Sequence, residues 1–330
     1  MKAIVIERFG SPAEVARCVE RPDPSPPGPG ELRLRVLAAN INPADLLLIE
    51  GRYGQLPALP ATPGAECVAR VEAIGDGVAG FAVGDLVMPM TTSCWREVIN
   101  AKPAAIVALP AGIDVQQAAM LKANPATALA MLEDIVALEP GDWIIQNAAN
   151  SAVGRYVAML ARSRKLRSIG IVRRPELLDA LKREGADLVT LDDWKTPAEL
   201  AQRVKSLTGG KLPRLALDAI GGTASSALAA ALADGGTIVN YGLLSGAACQ
   251  VSPHDLVFRD IRLHGFWLAR WFRQTPPDRV KTLYRTLVAL VADGTLSVPI
   301  AATYPFSRIA EALDHAARAG RDGKIQLVAG

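Results

Sequence analysis

Two kinds of hydrophobic patterning divide the 330-residue chain. Up to about residue 118 the apolar runs are short: Leu32–Leu37, Cys67–Ile74 and Leu86–Met88. Turns rich in proline and glycine separate them, most densely in Arg21-Pro-Asp-Pro-Ser-Pro-Pro-Gly-Pro-Gly30. Short strands with frequent breakers predict a β-rich, barrel-like domain. Near Asp114 the pattern turns helical, over Val115–Leu121 and Ala126–Leu132. From Trp143 strands and helices alternate. Strands are predicted at Trp143–Asn147, Ser168–Val172, Leu188–Leu191, Leu215–Ile220, Thr237–Tyr241 and Ile261–Phe266. Amphipathic helices fall at Val153–Arg164, Pro175–Glu184, Pro197–Leu207 and Ala224–Ala233. Six strands with helical crossovers make an α/β, doubly wound parallel sheet. Helices at Asp278–Ala292 and Ser307–Ala317 and a strand at Ile325–Val328 follow, a tail that is expected to return to the first domain. No repeat or low-complexity segment interrupts this order.

The segment Ile145-Gln-Asn-Ala-Ala-Asn-Ser-Ala-Val-Gly154 is the most informative in the chain. A β-run stops in small and polar residues, and a helical pattern (Val153, Val157, Leu160) begins at once. That is the strand–turn–helix arrangement of a dinucleotide site, where small residues let the backbone approach a pyrophosphate at a helix N-terminus. Other residues fill two of the three usual glycine positions. Ala148, Ala149, Ser151 and Ala152 are nearly as small, and Asn150 and Ser151 add side-chain donors. The next strand ends in Val172-Arg173-Arg174-Pro175. An acid near this point binds ribose hydroxyls in NAD sites, whereas arginine accommodates a 2′-phosphate, so NADPH is the expected cofactor.

Composition narrows the remaining choices. The length suits one large or two medium domains, half the residues are apolar, and no apolar run approaches the roughly 20 residues of a membrane span. The start, Met1-Lys-Ala-Ile-Val-Ile-Glu, reads as a β-strand and not as a targeting peptide. Cys18, Cys67, Cys94 and Cys249 lack paired spacing, which predicts reduced thiols and a cytoplasmic protein. A net charge of +3 is too mild to argue for nucleic acid.

The whole chain resembles the zinc-free medium-chain dehydrogenase/reductase superfamily, and within it the 2-enoyl thioester reductases, which include the mitochondrial enoyl reductases of fatty-acid synthesis. The resemblance rests on Ile41-Asn-Pro-Ala-Asp-Leu-Leu-Leu-Ile-Glu-Gly-Arg-Tyr53-Gly, Asn124-Pro-Ala-Thr-Ala, Gln146-Asn-Ala-Ala-Asn-Ser-Ala-Val-Gly, Val172-Arg-Arg and Leu263-His-Gly-Phe-Trp-Leu-Ala-Arg-Trp271. Quinone reductases share the Asn-Pro-x-Asp element, but Asn-Ser-x-Val-Gly together with Gly-Phe-Trp is more restrictive. The similarity runs from about Leu32 to Lys324. It implies a GroES-like catalytic domain over residues 1–118, an NADP-binding Rossmann domain over 119–268, and a return segment, 269–330, that completes the first domain.

The same resemblance implies residue roles. Tyr53 matches the family's catalytic tyrosine, beside the nicotinamide. Hydride arriving at the β-carbon of an enoyl thioester pushes charge onto the thioester oxygen, and a phenol there can hydrogen-bond the enolate and pass on a proton. Asn124 matches a cofactor contact, Asn150, Ser151, Ala152 and Val153 the phosphate loop, and Arg173 and Arg174 the adenosine phosphate site. Tyr241, Gly242, Leu243 and Leu244 match the loop after the fifth sheet strand. Phe266, Trp267 and Leu268 match the loop after the sixth, and Lys324 matches a basic cofactor contact. Three departures stand out: Leu243 replaces a glycine, Ala65-Glu66-Cys67 replaces Asn-Glu-Gly, and Arg174 replaces an acid.

No metal is expected, because the zinc-ligand element Gly-His-Glu reads Gly64-Ala65-Glu66 and no lobe of four close cysteines exists. His254, His264 and His315 are scattered, and Cys94 reads as a buried inert thiol. Arg270 and Arg273, past Trp267, are candidates to meet the phosphates of a coenzyme A or acyl-carrier-protein arm. The sheet-ending strand Ile261–Phe266 predicts a homodimer, as in relatives that join their nucleotide-domain sheets. The expected activity is NADPH-dependent reduction of an enoyl-CoA or enoyl-carrier-protein double bond. A quinone or general enone reductase, and a noncatalytic NADPH-binding sensor, stay open as alternatives.

Overall fold

The first apolar run of the chain forms strand β1 (Lys2–Ile6), whose side chains from Ala3 onward are buried, paired antiparallel with β2 (Ala16–Glu20). β3 (Leu32–Asn40), β4 (Cys67–Ile74), β5 (Leu86–Pro89), β6 (Val98–Ala101) and β7 (Ile106–Ala108) follow. In β3, Leu32, Leu34 and Val36 are fully buried while Arg33 and Arg35 alternate with them and pair with Glu72 of β4. The period of two thus sorts core from solvent within one strand. The computed structural model describes residues 1–329.

A parallel sheet holds the middle of the chain: β8 (Trp143–Gln146), β9 (Arg167–Val172), β10 (Leu188–Leu191), β11 (Leu215–Asp218), β12 (Thr237–Asn240) and β13 (Arg262–Gly265). Their order is β10-β9-β8-β11-β12-β13. The order reverses between β8 and β11, the switch point at which open α/β sheets form a ligand crevice. All four residues of β8 are buried, as expected where helices cover both faces. Helix Ala152–Ser163 buries Tyr156, Val157, Leu160 and Ala161. Helix Pro197–Leu207 starts at the position the sequence predicts because Thr196 caps it, Pro197 opens it, and Leu200 and Val204 form its buried stripe.

The tail adds β14 (Ile300–Pro305) and β15 (Lys324–Val328). β15 pairs antiparallel with β3 and parallel with β14, giving the order β14-β15-β3-β4-β5-β7 with β6 also paired to β3. By contacts the chain divides into two units, Met1–Ala123 with Tyr284–Gly330, and Asn124–Leu283. Each has its own apolar core, around Ile4, Leu34, Trp95 and Leu327 in one and around Ile145, Ile169, Leu228 and Ile238 in the other.

Several elements differ from the sequence reading. The helix expected over Val115–Leu121 ends at Ala118, and tighter turns (Met120 N–H to Gln117 O, Leu121 N–H to Ala118 O) replace its last part. Pro175–Glu184 divides into a 3-10 turn, Pro175–Leu177, and a helix, Leu178–Arg183. Helices Pro253–Phe258 and Leu268–Gln274 bury no residue, so neither carries a periodic apolar stripe to reveal it. Arg270 and Arg273 therefore sit on a helix and not on open chain after the strand. The half-buried β14 has the same weak signal.

Candidate active site

The dinucleotide motif folds as a tight turn. Ala148, at φ +47°, occupies the left-handed region that glycine usually fills, and its neighbour Ala149 hydrogen-bonds back to Ile171 on β9. Ser151 caps helix Ala152–Ser163, accepting from the Gly154 N–H at 3.1 Å. Its oxygen is thus engaged by the helix itself. Gly154 cannot be replaced cheaply: a Cβ there would lie 2.7 Å from the Ala149 carbonyl oxygen and 2.8 Å from that of Ala148. Gln146 fixes the opposite side of the turn by donating to Gly154 O at 2.8 Å.

The switch point itself is tied by a buried polar knot. Asn147 donates to Asp218 Oδ1 at 2.6 Å and accepts from Ala219 N–H at 2.8 Å. Asp218 also accepts from the Ile220 and Gly221 N–H groups and from Ser225 Oγ. One carboxylate therefore sets the loop after β11 against the loop after β8. Tyr241 closes the same crevice. Burial pushes its phenol well above the ordinary value, Ser151 opposes the rise, and Asp218 adds to it. Gly242 follows, packed so closely on Ala219 that no side chain fits. Leu243 and Leu244 are exposed, at 61% and 62%.

Arg173 and Arg174 stand past the end of β9; Arg173 is exposed, and Arg174 lies 3.9 Å from Glu176. Past β13, Phe266 is buried, and Trp267 carries the guanidinium of Arg273 at 4.9 Å from its ring centre. Leu268 opens helix Leu268–Gln274. Asn124 is the buried first residue of helix Asn124–Glu133. The structure thus brings Ser151, in the turn that also carries Asn150, Ala152 and Val153, against Tyr241, with both arginines past the end of the neighbouring strand. Donors, a glycine-tight turn and a helix N-terminus fit a dinucleotide pyrophosphate, and two guanidinium groups fit a 2′-phosphate.

In the other unit Tyr53 lies in the turn after helix Pro43–Ile49 and is half-buried. Gly51, at φ +75°, makes the turn possible, and Arg52 N–H bonds back to Leu47 O. The Asn-Pro-x-Asp element that precedes Tyr53 is the edge of a buried network that sequence reasoning missed. Asp45 accepts from the N–H groups of Asn42 and Ala65, at 2.8 and 2.9 Å. Glu66 accepts from Asn40 and Asn42 side chains and from the Ala123 N–H. Lys122 donates to the carbonyls of Ala65 and Thr91, and Lys324 to Asn42 Oδ1 at 2.7 Å.

Burial raises the Asp45 carboxyl to about 7, with nearby Glu66 adding to the rise. Burial lowers Lys324 to about 8, against the pull of Glu66 and Asp45. Lys324 is thus held inside its own unit by Asn42 at 5% exposure. The network's signal in the sequence was Lys122, a lone charge inside the apolar stretch Ala118-Ala-Met-Leu-Lys-Ala. Glu66→Ala would strand three buried donors, so thermal or denaturant unfolding should show a loss on the order of 3–5 kcal/mol. A change under about 1 kcal/mol would mean that the network is dispensable.

Cys67 and Cys94 are both buried, and a hydrogen bond with Cys94 together with burial raises the Cys67 thiol, so Cys67 lacks the features of a reactive thiol. Among the described residues no three His, Cys, Asp or Glu side chains group as a metal ion would require.

Comparison with known proteins agrees with this geometry. Residues 28–121 match the alcohol dehydrogenase GroES-like domain and residues 152–288 the zinc-binding dehydrogenase domain. The mouse mitochondrial enoyl-[acyl-carrier-protein] reductase is 38% identical over 320 residues, covering 95% of this chain and 85% of the relative. The Arabidopsis thaliana enzyme of the same name is 36% identical over 331 residues, covering 98% and 87%. Among solved structures, a putative NADPH:quinone reductase from Bacillus thuringiensis aligns with a TM-score of 0.90 at 30% identity, over 100% of this chain and 99% of that one. The complex of Etr1p with NADP and crotonyl-CoA aligns at 0.89 and 25% identity, over 99% of both chains. The mitochondrial 2-enoyl thioester reductase Etr1p/Etr2p heterodimer from Candida tropicalis aligns at 0.87 and 26% identity, again over 99% of both.

The relatives' names overturn the cytoplasmic location expected from the cysteines and point to a mitochondrial one. Reduced thiols argue against an oxidising compartment but do not separate one reducing compartment from another. The chain belongs to the 2-enoyl thioester reductase family of the zinc-free medium-chain dehydrogenase/reductase superfamily.

Proposed function

We propose that the protein is an NADPH-dependent 2-enoyl thioester reductase that acts without metal. The observation that carries this reading is the near full-length match to enoyl reductases, joined to a crevice whose own residues suit NADP. When bound, NADPH supplies a hydride. The chain's residues do the rest. Ser151, with the N-terminus of its helix, and the turn around Ala148 hold the pyrophosphate. Arg173 and Arg174 take the 2′-phosphate. Asn124, Gly242, Leu243, Leu244, Phe266, Trp267 and Leu268 border the nicotinamide and acyl portions, and Lys324 supports the Asn42 side of the Tyr53 turn. Tyr53 hydrogen-bonds the thioester oxygen as charge develops there and is the proton relay to the enolate.

Supplying NADPH deuterated at its transferable position tests this directly. Crotonyl-CoA should be converted to butyryl-CoA with deuterium on the β-carbon. Unlabelled product, or no turnover with NADPH bound, would contradict the reading.

A quinone reductase is the second reading, favoured by the Bacillus thuringiensis neighbour at 30% identity. Whether the thioester is carried by coenzyme A or by acyl-carrier protein is a question for the same assay with both substrates. A homodimer formed along the edge strand β13 fits the surface: all four of its residues are exposed, Leu263 among them at 43%, and Leu256, Val257 and Phe258 shortly before it are 43%, 70% and 77% exposed. Light scattering at micromolar concentration should give about twice the 34.8 kDa monomer mass. A stable monomer mass would contradict it.

A further inference from the structure

The structure places an acid where the adenosine-phosphate arginines stand, on the next strand over. β9 and β10 are parallel neighbours with Val172 opposite Leu191, and the ladder continues one step further through Asp192 N–H to Val172 O at 2.7 Å. Asp192, the first residue past β10, is thereby tied to the residue that precedes Arg173, the first residue past β9. Partial burial raises the Asp192 carboxyl above its usual range, the Arg173 guanidinium pulls it back down, and Asp193 adds to the rise. Asp193 itself is turned to other work, taking Arg203 at 2.5 Å. Arg203 is further held by Thr190 and Leu191 O. Asp192 is thus the carboxylate beside Arg173.

From this juxtaposition we propose that Asp192 is a specificity-determining residue: it competes with the cofactor's 2′-phosphate for Arg173 and sets how strongly the protein prefers NADPH over NADH. The inference rests on the cofactor assignment above and goes beyond it. A carboxylate near a guanidinium lowers the positive potential that the cation offers a ligand and repels a phosphate that approaches it. For NADH, which brings no phosphate there, Asp192 imposes no such penalty.

Calorimetric titration of Asp192→Asn with 2′,5′-ADP and with 5′-AMP, fragments with and without the 2′-phosphate, separates the terms. The Kd for 2′,5′-ADP and for NADPH should fall about threefold, as expected for one partly exposed charge pair, while those for 5′-AMP and NADH stay unchanged. Asp193→Asn, whose carboxylate is held by Arg203, should leave all four unchanged. Equal shifts with and without the 2′-phosphate, or weaker NADPH binding, would overturn the proposal. The arginines keep the two claims apart. If Arg173→Ala weakens 2′,5′-ADP while Asp192→Asn does nothing, only the role of Asp192 fails. If neither change matters, the 2′-phosphate assignment fails with it. Should Asp192→Asn unfold, Asp192→Ser carries the same expectation.

Discussion

Tyr53→Phe lowers the rate constant for crotonyl-CoA reduction on the order of 10²-fold or more, while NADPH stays bound. The magnitude follows from the site's chemistry. Hydride addition to the β-carbon places negative charge on the thioester oxygen, and a donor aimed at that oxygen is worth more in the transition state than in the ground state. Removing the one hydroxyl therefore appears in kcat, with a smaller effect on substrate binding. Tyr53 is half-buried in a turn fixed by Gly51 and by the Arg52–Leu47 hydrogen bond, and phenylalanine keeps its ring. A quinone is already a strong hydride acceptor and depends less on the phenol, so its reduction should survive. Turnover of crotonyl-CoA within about twofold of wild type, less than roughly 0.6 kcal/mol, would sink the mechanism and promote the quinone reading.

The double change Arg173→Ala, Arg174→Ala should raise the Kd for NADPH by one to several orders of magnitude. Each charge-assisted contact to the 2′-phosphate is worth roughly 1.5–3 kcal/mol, and each 1.4 kcal/mol is tenfold. The acids beside the two guanidinium groups, Asp192 and Glu176, take part of that energy in the free protein and hold the effect toward the lower end. NADH should change little, because nothing on its ribose needs the arginines. Binding followed by cofactor fluorescence would check this, and equal losses for both cofactors would show that the site lies elsewhere.

What was legible in the sequence follows physical rules. The parallel sheet could be read because its central strands, β8 and β11, are fully buried runs separated by amphipathic helices, and Pro197–Leu207 because its cap, proline and buried stripe coincide. The strand–turn–helix after β8 could be read despite its missing glycines, since Ala148 and Ala149 preserve the small size that the backbone path needs. Helices Pro253–Phe258 and Leu268–Gln274 escaped because they bury nothing, although Ser252-Pro253 ahead of Asp255 is a cap signal that would have found the first. The network of Asp45, Glu66, Lys122 and Lys324 escaped for a different reason. Its members lie far apart in sequence and meet only through β3, the β4 entry and β15, so periodicity says nothing about them. Lys324 read as a cofactor contact by resemblance, and its buried bond to Asn42 is a geometry only the fold could reveal. Asp192 was hidden likewise, since Arg173 follows a different strand and the two come near each other only through the β9–β10 pairing.

The central claim, an enoyl thioester reductase, is tested most directly by kcat/KM for crotonyl-CoA against that for a benzoquinone, with NADPH saturating in both and its oxidation followed by absorbance. Efficient crotonyl-CoA reduction, with a ratio that collapses in Tyr53→Phe, is the predicted result. Quinone turnover with no detectable crotonyl-CoA reduction would contradict it.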